Sequence, residues 1–333
     1  MKYIYNSIVD FSDFDIADRQ GIYGGQAGSK DSIMYGGDYW IIKYPKNTQK
    51  MSGNNLSSYT TAPLSEYIGS HVYDILGLNV HDTVLGIRRG KVIVACKDFC
   101  KTRGALMEIR TIKNASLHAV SEELQEDLPS SITGDMVDLK ELFIHFQYNP
   151  LLMHKEIHDR FWDMVVIDIL INNNDRNNGN WGLLYDEINK SNELAPIYDN
   201  GNSFYNKMSE EQIQNKLLEN DINRHLDVRT PYVIDEHILS AKKLLRLNYR
   251  GLRESLIRNV PLIKEKFLDI SVMIRSIPEN HGEFLICSKE RKEYYLQGME
   301  VRLNELLYPA YEHALASFNQ IESKETVGEE YNV

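Results

Sequence analysis

Residues 161 to 181 constrain the fold of this chain more than any other stretch. Phe161, Trp162, Val165, Val166, Ile169 and Leu170 recur with the period of an α-helix and predict one buried stripe. The chain then turns sharply polar through Asn172-Asn173-Asn174-Asp175-Arg176-Asn177-Asn178-Gly179-Asn180 and re-enters apolar sequence at Trp181. A polar loop clamped between two buried elements is where a rigid scaffold presents chemistry. Asp175 and Asn180 stand five apart, the Asp-x-x-x-x-Asn interval of phosphoryl-transfer loops. There the Asp accepts the proton of the attacking hydroxyl and the Asn binds a metal. Taken alone, the same segment also reads as an asparagine-rich turn that caps its own backbone. Downstream, Leu194-Ala195-Pro196-Ile197-Tyr198-Asp199-Asn200-Gly201 predicts a short strand ending in a carboxylate. Mg²⁺ takes few protein oxygens beside phosphate oxygens, so Asn180 and Asp199 are a sufficient ligand pair.

Composition narrows the partners. The 333 residues carry 37 basic and 48 acidic side chains, 37 − 48 = −11, which gives a nucleic-acid partner no general electrostatic support. No window approaches the run of about 20 apolar residues that crosses a bilayer, and the first residues lack the apolar core of a signal peptide. Three cysteines, Cys96, Cys100 and Cys287, form no Cys-x-x-Cys pair and fit a reduced compartment. The expected location is cytoplasmic. His154 and His158 stand one helical turn apart, but Glu156 follows the first by two, so this is no His-Glu-x-x-His zinc helix.

The length suggests two domains or one bilobal unit. Gly21, Gly24, Gly25 and Gly28 crowd a turn that also holds Gln26, Ser29 and Lys30. Such glycines let backbone N–H groups approach phosphates or simply serve a flexible loop, and they match no phosphate-binding signature. Ser32–Tyr35 and Tyr39–Tyr44 read as strands joined at Gly36-Gly37, a hairpin signal. Lys43 lies in the second strand. A helix beginning near Pro63 and ended by Gly77 carries Glu66, the expected carboxylate partner of Lys43. A second hairpin spans residues 80–99 and turns at Arg89-Gly90. It leads to Lys97 and Asp98, where backbone groups of residues 95–98 are placed to meet an adenine edge. Strands dominate before residue 101 and helices after it, which sets the expected boundary between a nucleotide-binding lobe (1–100) and a helical catalytic lobe (101–333). Ile234, Ile238, Leu239 and Leu245 read as helical in period, and Pro309 is expected to break or kink the last helix.

These segments in this order resemble the HipA-like serine/threonine kinases and, within them, the compact CtkA-type kinases. The resemblance runs from Gly21 to about Gly201, through Tyr39–Pro45, Ser65-Glu66-Tyr67, Val94–Phe99, Phe161–Met164, Asp175–Trp181 and Ala195–Asp199. It implies an α+β, bilobal protein-kinase-like fold, the use of ATP and Mg²⁺, protein substrates bearing Ser or Thr, and autophosphorylation of a serine in the glycine-rich turn, Ser29 or else Ser32. Carried over by position, Lys43 holds phosphates, Asp175 is the catalytic base, and Asn180 and Asp199 bind metal. Two positions depart from the pattern. Relatives often carry His where Asn177 stands, and HipA-type loops carry Lys where Gly179 stands. Arg176, the loop's one cation, is then the candidate to neutralise transition-state charge. Besides a protein kinase, the residues leave open a nucleotide-binding pseudokinase or toxin–antitoxin-type regulator, and a lipid-kinase-like phosphotransferase.

Overall fold

The computed structural model describes residues 7–17, 30–48, 59–100, 104–125, 127–131 and 136–317. The first half of the chain forms β1 (Val9–Asp10), β2 (Lys30–Tyr35), β3 (Asp38–Lys43), α1 (Ala62–Ile75), β4 (Thr83–Arg88) and β5 (Lys91–Lys97). Its five strands make one sheet in the order β1-β4-β5-β3-β2. Both hairpins turn where glycine was read. Gly36 and Gly37 have φ of +59° and +86°, and Arg89 and Gly90 have +52° and +66°. Positive φ at both central residues matches the twist of the flanking strands.

Alternation along β3 and β5 sends side chains to two cores. Ile42, Ile93 and Ala95 join Phe11, Ile33 and Trp40 on one face. Val94 and Cys96 turn to the other face, where Leu85, Ile87 and α1 meet them in the main core. Lys43 pairs with Val94 and Ile41 with Cys96, so the lysine and the thiol share the face that α1 covers. Pro63 sits in the first turn of α1. Beyond its last turn Gly77 takes φ +78°, and the Leu78 N–H returns to the Tyr73 carbonyl at 3.0 Å. That glycine-terminated cap is the one the sequence predicts.

The second half comprises β6 (Gly104–Glu108), α2 (Ile109–Leu124), β7 (Val137–Asp138), α3 (Leu139–Tyr148), α4 (Lys155–Ile171), β8 (Gly182–Asp186), β9 (Ser191–Leu194) and α5 (Glu210–Glu219). There follow β10 (Arg229–Ile234), β11 (His237–Ser240), α6 (Ala241–Leu244), α7 (Arg250–Ser276), β12 (Asn280–His281), β13 (Phe284–Leu285) and α8 (Lys289–Arg302). Helix α4 carries the predicted apolar stripe, is buried over most of its length, and packs on α7. Gly251 of α7 permits the approach, since a Cβ there would stand 2.4 Å from the Trp162 ring.

Two local expectations are corrected. Ile234 and Ile238 belong to the antiparallel pair β10–β11 and face each other's strands, not one side of a helix. The turn residues Asp235 and Glu236 adopt φ of +50° and +63°, and the β-branched run before them favours a strand. Pro309 does not end the last helix. A π turn at Leu303–Leu307 precedes it, and helix continues over residues 308–317. No helix among the described residues is long and apolar enough to cross a membrane.

Candidate active site

The loop from Asn172 to Trp181 connects α4 to β8, and its shape follows from one buried ion pair. Asn172 ends α4 in the left-handed region, φ +56°, which turns the chain back over the helix end. Asp168, on the last turn of α4, receives Arg176 Nε at 2.8 Å and Nη2 at 3.1 Å. It also accepts from the Tyr73 hydroxyl at 2.8 Å and the Asn173 amide at 3.0 Å. Arg176 gives its remaining donors to the carbonyls of Asn180 and Tyr198 and to Asn200 Oδ1. Its guanidinium is 0% exposed. Burial opposes its charge, but the Asp168 carboxylate outweighs that and raises its pKa. Arg176 is therefore a positioning residue that ties the loop to the segment before Asp199. This corrects the expectation that it meets substrate charge, because it has no donor left to offer.

Asp175 stands exposed at the loop's rim, and partial burial of its carboxyl is the main cause that raises its pKa. Asn177 donates to Asp175 Oδ1 at 3.2 Å and accepts the Gly179 N–H at 2.8 Å. Asn180 turns its amide nitrogen to the Asp175 carbonyl, which leaves its Oδ1 as a free-standing acceptor type suited to a hard cation.

Across from the loop, the Lys43 ammonium lies between two carboxylates, 3.1 Å from Glu66 Oε2 and 3.0 Å from Asp199 Oδ1. Burial works against its charge, and the two carboxylates overcome burial and raise its pKa. Glu66 is pulled the other way: burial would raise it, but Lys43 and His81 hold it below the usual carboxylate range. His81 Nε2 reaches Glu66 Oε1 at 2.9 Å. The segment before Asp199 is fastened to the segment carrying His81. The His81 N–H donates to the Ile197 carbonyl at 3.1 Å, and the Ile197 N–H donates to the Asn79 carbonyl at 2.9 Å. Asp199 itself takes φ +61°, a left-handed setting that aspartate enters more readily than most residues other than glycine.

Lys97 and Asp98 are placed differently from expectation. Their N–H groups donate to the Asp82 and Tyr39 carbonyls at 2.8 and 2.9 Å, and the Lys97 ammonium pairs with Asp38 at 2.7 Å. Those donors are spent within the sheet and do not serve an adenine edge. Gly24, Gly25, Gln26, Gly28 and Ser29 lie outside the described residues.

Arg110 is a site residue that sequence reasoning missed. The Ile109 and Arg110 N–H groups, at the start of α2, donate to the Trp181 and Asn178 carbonyls at 3.1 and 2.8 Å. The loop thus caps a helix N-terminus. The Arg110 guanidinium rests on Gly179, where a Cβ would lie 2.7 Å from Nη1. It pairs with Glu108 and keeps 16% of its side chain exposed. No spacing rule links residues 110 and 179.

A sheet lysine paired with a glutamate of the helix that covers it, set against an Asp-x-x-x-x-Asn loop on a helical half, is the arrangement of a protein-kinase-like phosphotransferase. No family model matches the chain. It is 30% identical over 311 residues to the serine/threonine-protein kinase CtkA of Helicobacter pylori (strain J99), covering 90% of this chain and 89% of that protein. The crystal structure of the H. pylori proinflammatory kinase CtkA aligns with a TM-score of 0.79 and 26% identity over 93% of this chain and 99% of that one. HipA, from the structure of the Shewanella oneidensis MR-1 toxin–antitoxin complex of HipA, HipB and operator DNA, shares the fold at a TM-score of 0.51. Its identity is 13%, over 88% of this chain and 69% of that one. The chain belongs to the CtkA family of serine/threonine-protein kinases, with a HipA-like α+β fold.

Proposed function

We propose that the protein transfers the γ-phosphoryl group of ATP to serine or threonine hydroxyls of protein substrates, itself included, in a Mg²⁺-dependent reaction. The observation that carries this is the Lys43 ammonium held between Glu66 and Asp199, opposite a loop that offers Asp175 and Asn180. Lys43 holds nucleotide phosphates, oriented by Glu66. Asp175 sits at the rim with a raised pKa and accepts the proton of the attacking hydroxyl. The Asn180 and Asp199 oxygens suit Mg²⁺, which when bound neutralises phosphate charge. Asn177, through its bond to Asp175 Oδ1, holds the base in place. With Arg176 consumed by Asp168, Arg110 is a cation beside the loop that remains partly open. In this reading the nucleotide-binding lobe spans about residues 1–100 and the catalytic lobe 101–333, and the protein works in the cytoplasm. Ser29 is a better candidate for autophosphorylation than Ser32, whose hydroxyl is buried within β2.

Incubation with labelled ATP and Mg²⁺ tests the reading. Wild type labels itself, while Asp175→Asn loses transfer by about 10²–10⁴-fold and still binds nucleotide in a calorimetric titration. Near-wild-type labelling by the variant would remove Asp175 from the role of base.

A further inference from the structure

Three side chains of different chemistry converge beneath the sheet. The Glu66 carboxylate from α1, the His81 imidazole from the segment before β4 and the Cys96 thiol from β5 each offer a ligand atom. These atoms all lie within 4.8 Å of one another, and all three residues are buried. Sequence spacing hides the group, since its members stand 15 residues apart along the chain. Both Glu66 oxygens are buried without a well-aligned hydrogen bond. Each faces one charged group, His81 Nε2 at 2.9 Å and Lys43 Nζ at 3.1 Å, and the same His81 nitrogen lies 3.1 Å from the Ser70 hydroxyl.

We propose that Glu66, His81 and Cys96 form an inhibitory site for a thiophilic divalent cation of the Zn²⁺ type, distinct from the Mg²⁺ site of the phosphates. One sulfur, one nitrogen and one oxygen suit Zn²⁺ and not Mg²⁺, which takes oxygen. Zn–S of about 2.3 Å and Zn–N of about 2.0–2.1 Å imply ligand–ligand edges of roughly 3.3–3.7 Å. With all three ligand atoms within 4.8 Å of one another, the group must close by no more than about 1 Å, while His81 and Glu66, now 2.9 Å apart, part slightly. Three protein ligands leave a fourth position for water. A small cavity reaches His81 from outside, lined also by Ser70, His71, Asp74 and Asp82, whose carboxylates and imidazole attract a cation. Binding exchanges the Cys96 thiol proton for a sulfur–metal bond and releases that proton to solvent.

The site faces the catalytic lysine, which makes it inhibitory. A divalent cation that displaces the Cys96 thiol proton leaves one more net positive charge beside the Lys43 ammonium, and Glu66, once bound to it, can no longer hold that lysine for phosphate. This functional half rests on the kinase reading above; the binding half does not.

Cobalt(II) is the probe. Titrated into the full-length chain, it should give a one-equivalent spectrum with tetrahedral d–d bands and a sulfur-to-metal charge-transfer band, displaced by Zn²⁺. Cys96→Ser should abolish the charge-transfer band, and His81→Asn should weaken binding at least tenfold, while Cys100→Ser, the neighbouring-thiol control, should change nothing. Low-micromolar Zn²⁺ should then suppress self-labelling in wild type, and the labelling that Cys96→Ser retains without Zn²⁺ should need at least tenfold more Zn²⁺ for the same fractional suppression. A charge-transfer band that survives Cys96→Ser, or no stoichiometric band in wild type, overturns the site. Self-labelling indifferent to Zn²⁺ despite an intact band overturns the inhibition. A wild type that never labels itself defeats the kinase reading, and the cobalt spectrum still decides the site.

Discussion

Arg176 uses all five of its N–H donors inside the protein, two on Asp168, one on the Asn180 carbonyl of the loop and two on Tyr198 and Asn200, which flank Asp199. That geometry decides between two roles a loop arginine can play. A cation serving the transition state keeps donors for the phosphoryl group; this one holds the backbone that positions Asp175, Asn180 and Asp199. The distinction is measurable. Arg176→Met leaves Asp168 charged and buried without its partner, at a cost of about 3–5 kcal/mol. Urea unfolding should show that loss as a lower midpoint, together with reduced transfer. A variant as stable as wild type, impaired only in turnover, would return Arg176 to the chemistry. The sequence does hold a hint of this pairing, since Asp168 is a lone carboxylate among Val165, Val166, Ile167, Ile169 and Leu170. A charge inside an apolar helix needs a partner, but only the fold says which.

At the scale of elements, the loop is docked on the start of α2 and threaded into β8, and the glycines in it and just after it make different demands. At Gly179 an added Cβ meets the Arg110 guanidinium at 2.7 Å, the far end of a flexible side chain. At Gly182 it meets the Met107 carbonyl oxygen at 2.1 Å, which is backbone of the paired strand β6. Gly182→Ala should therefore destabilise by about 1–3 kcal/mol or more through strain. Gly179→Ala should leave the unfolding free energy within about 0.5 kcal/mol of wild type and change transfer by displacing Arg110. Paired unfolding and labelling assays compare the two; equal destabilisation by both would contradict this packing.

The same elements show what could be read in advance. Hairpins marked by Gly36-Gly37 and Arg89-Gly90, the helix carrying Glu66 and the apolar run of α4 were legible because turn chemistry and period are local. The β10–β11 hairpin was not, because Ile234, Ile238 and Leu239 satisfy a helical spacing by chance while the turn at Asp235-Glu236 carries no glycine. Lys43 and Glu66 could be paired from the kinase-like order of elements. Arg110 on Gly179, and His81 on Glu66, arise only when distant segments are folded together.

Across the whole molecule, stability should depend on pH through three histidines held neutral. His71, His145 and His225 are each lowered from the ordinary value of 6.5 to about 4, chiefly by burial. Lys113 adds to the effect at His145 and Arg302 at His225, whereas the Tyr67 carbonyl partly offsets it at His71. A pKa lower in the folded than in the unfolded chain means that the unfolded chain binds more protons between about pH 4 and 6.5. Folding free energy is then complete above pH 6.5 and falls as pH drops through that window. At pH 5 the loss is about 2 kcal/mol per histidine, so three together approach the total stability of many domains. Glu66, whose pKa is lowered, contributes its own loss only below the ordinary carboxylate range. Equilibrium unfolding in urea at pH 7.5, 6 and 5 should show a steadily falling free energy. His145 offers the sharpest control, because its two ring nitrogens are buried without a hydrogen-bond partner. Replacing it in His145→Leu should remove about a third of the pH dependence whatever it does to stability at pH 7.5. A profile flat from pH 7.5 to 5, or an unchanged slope in that variant, would mean that these imidazoles take up protons in the folded protein as readily as in the unfolded one.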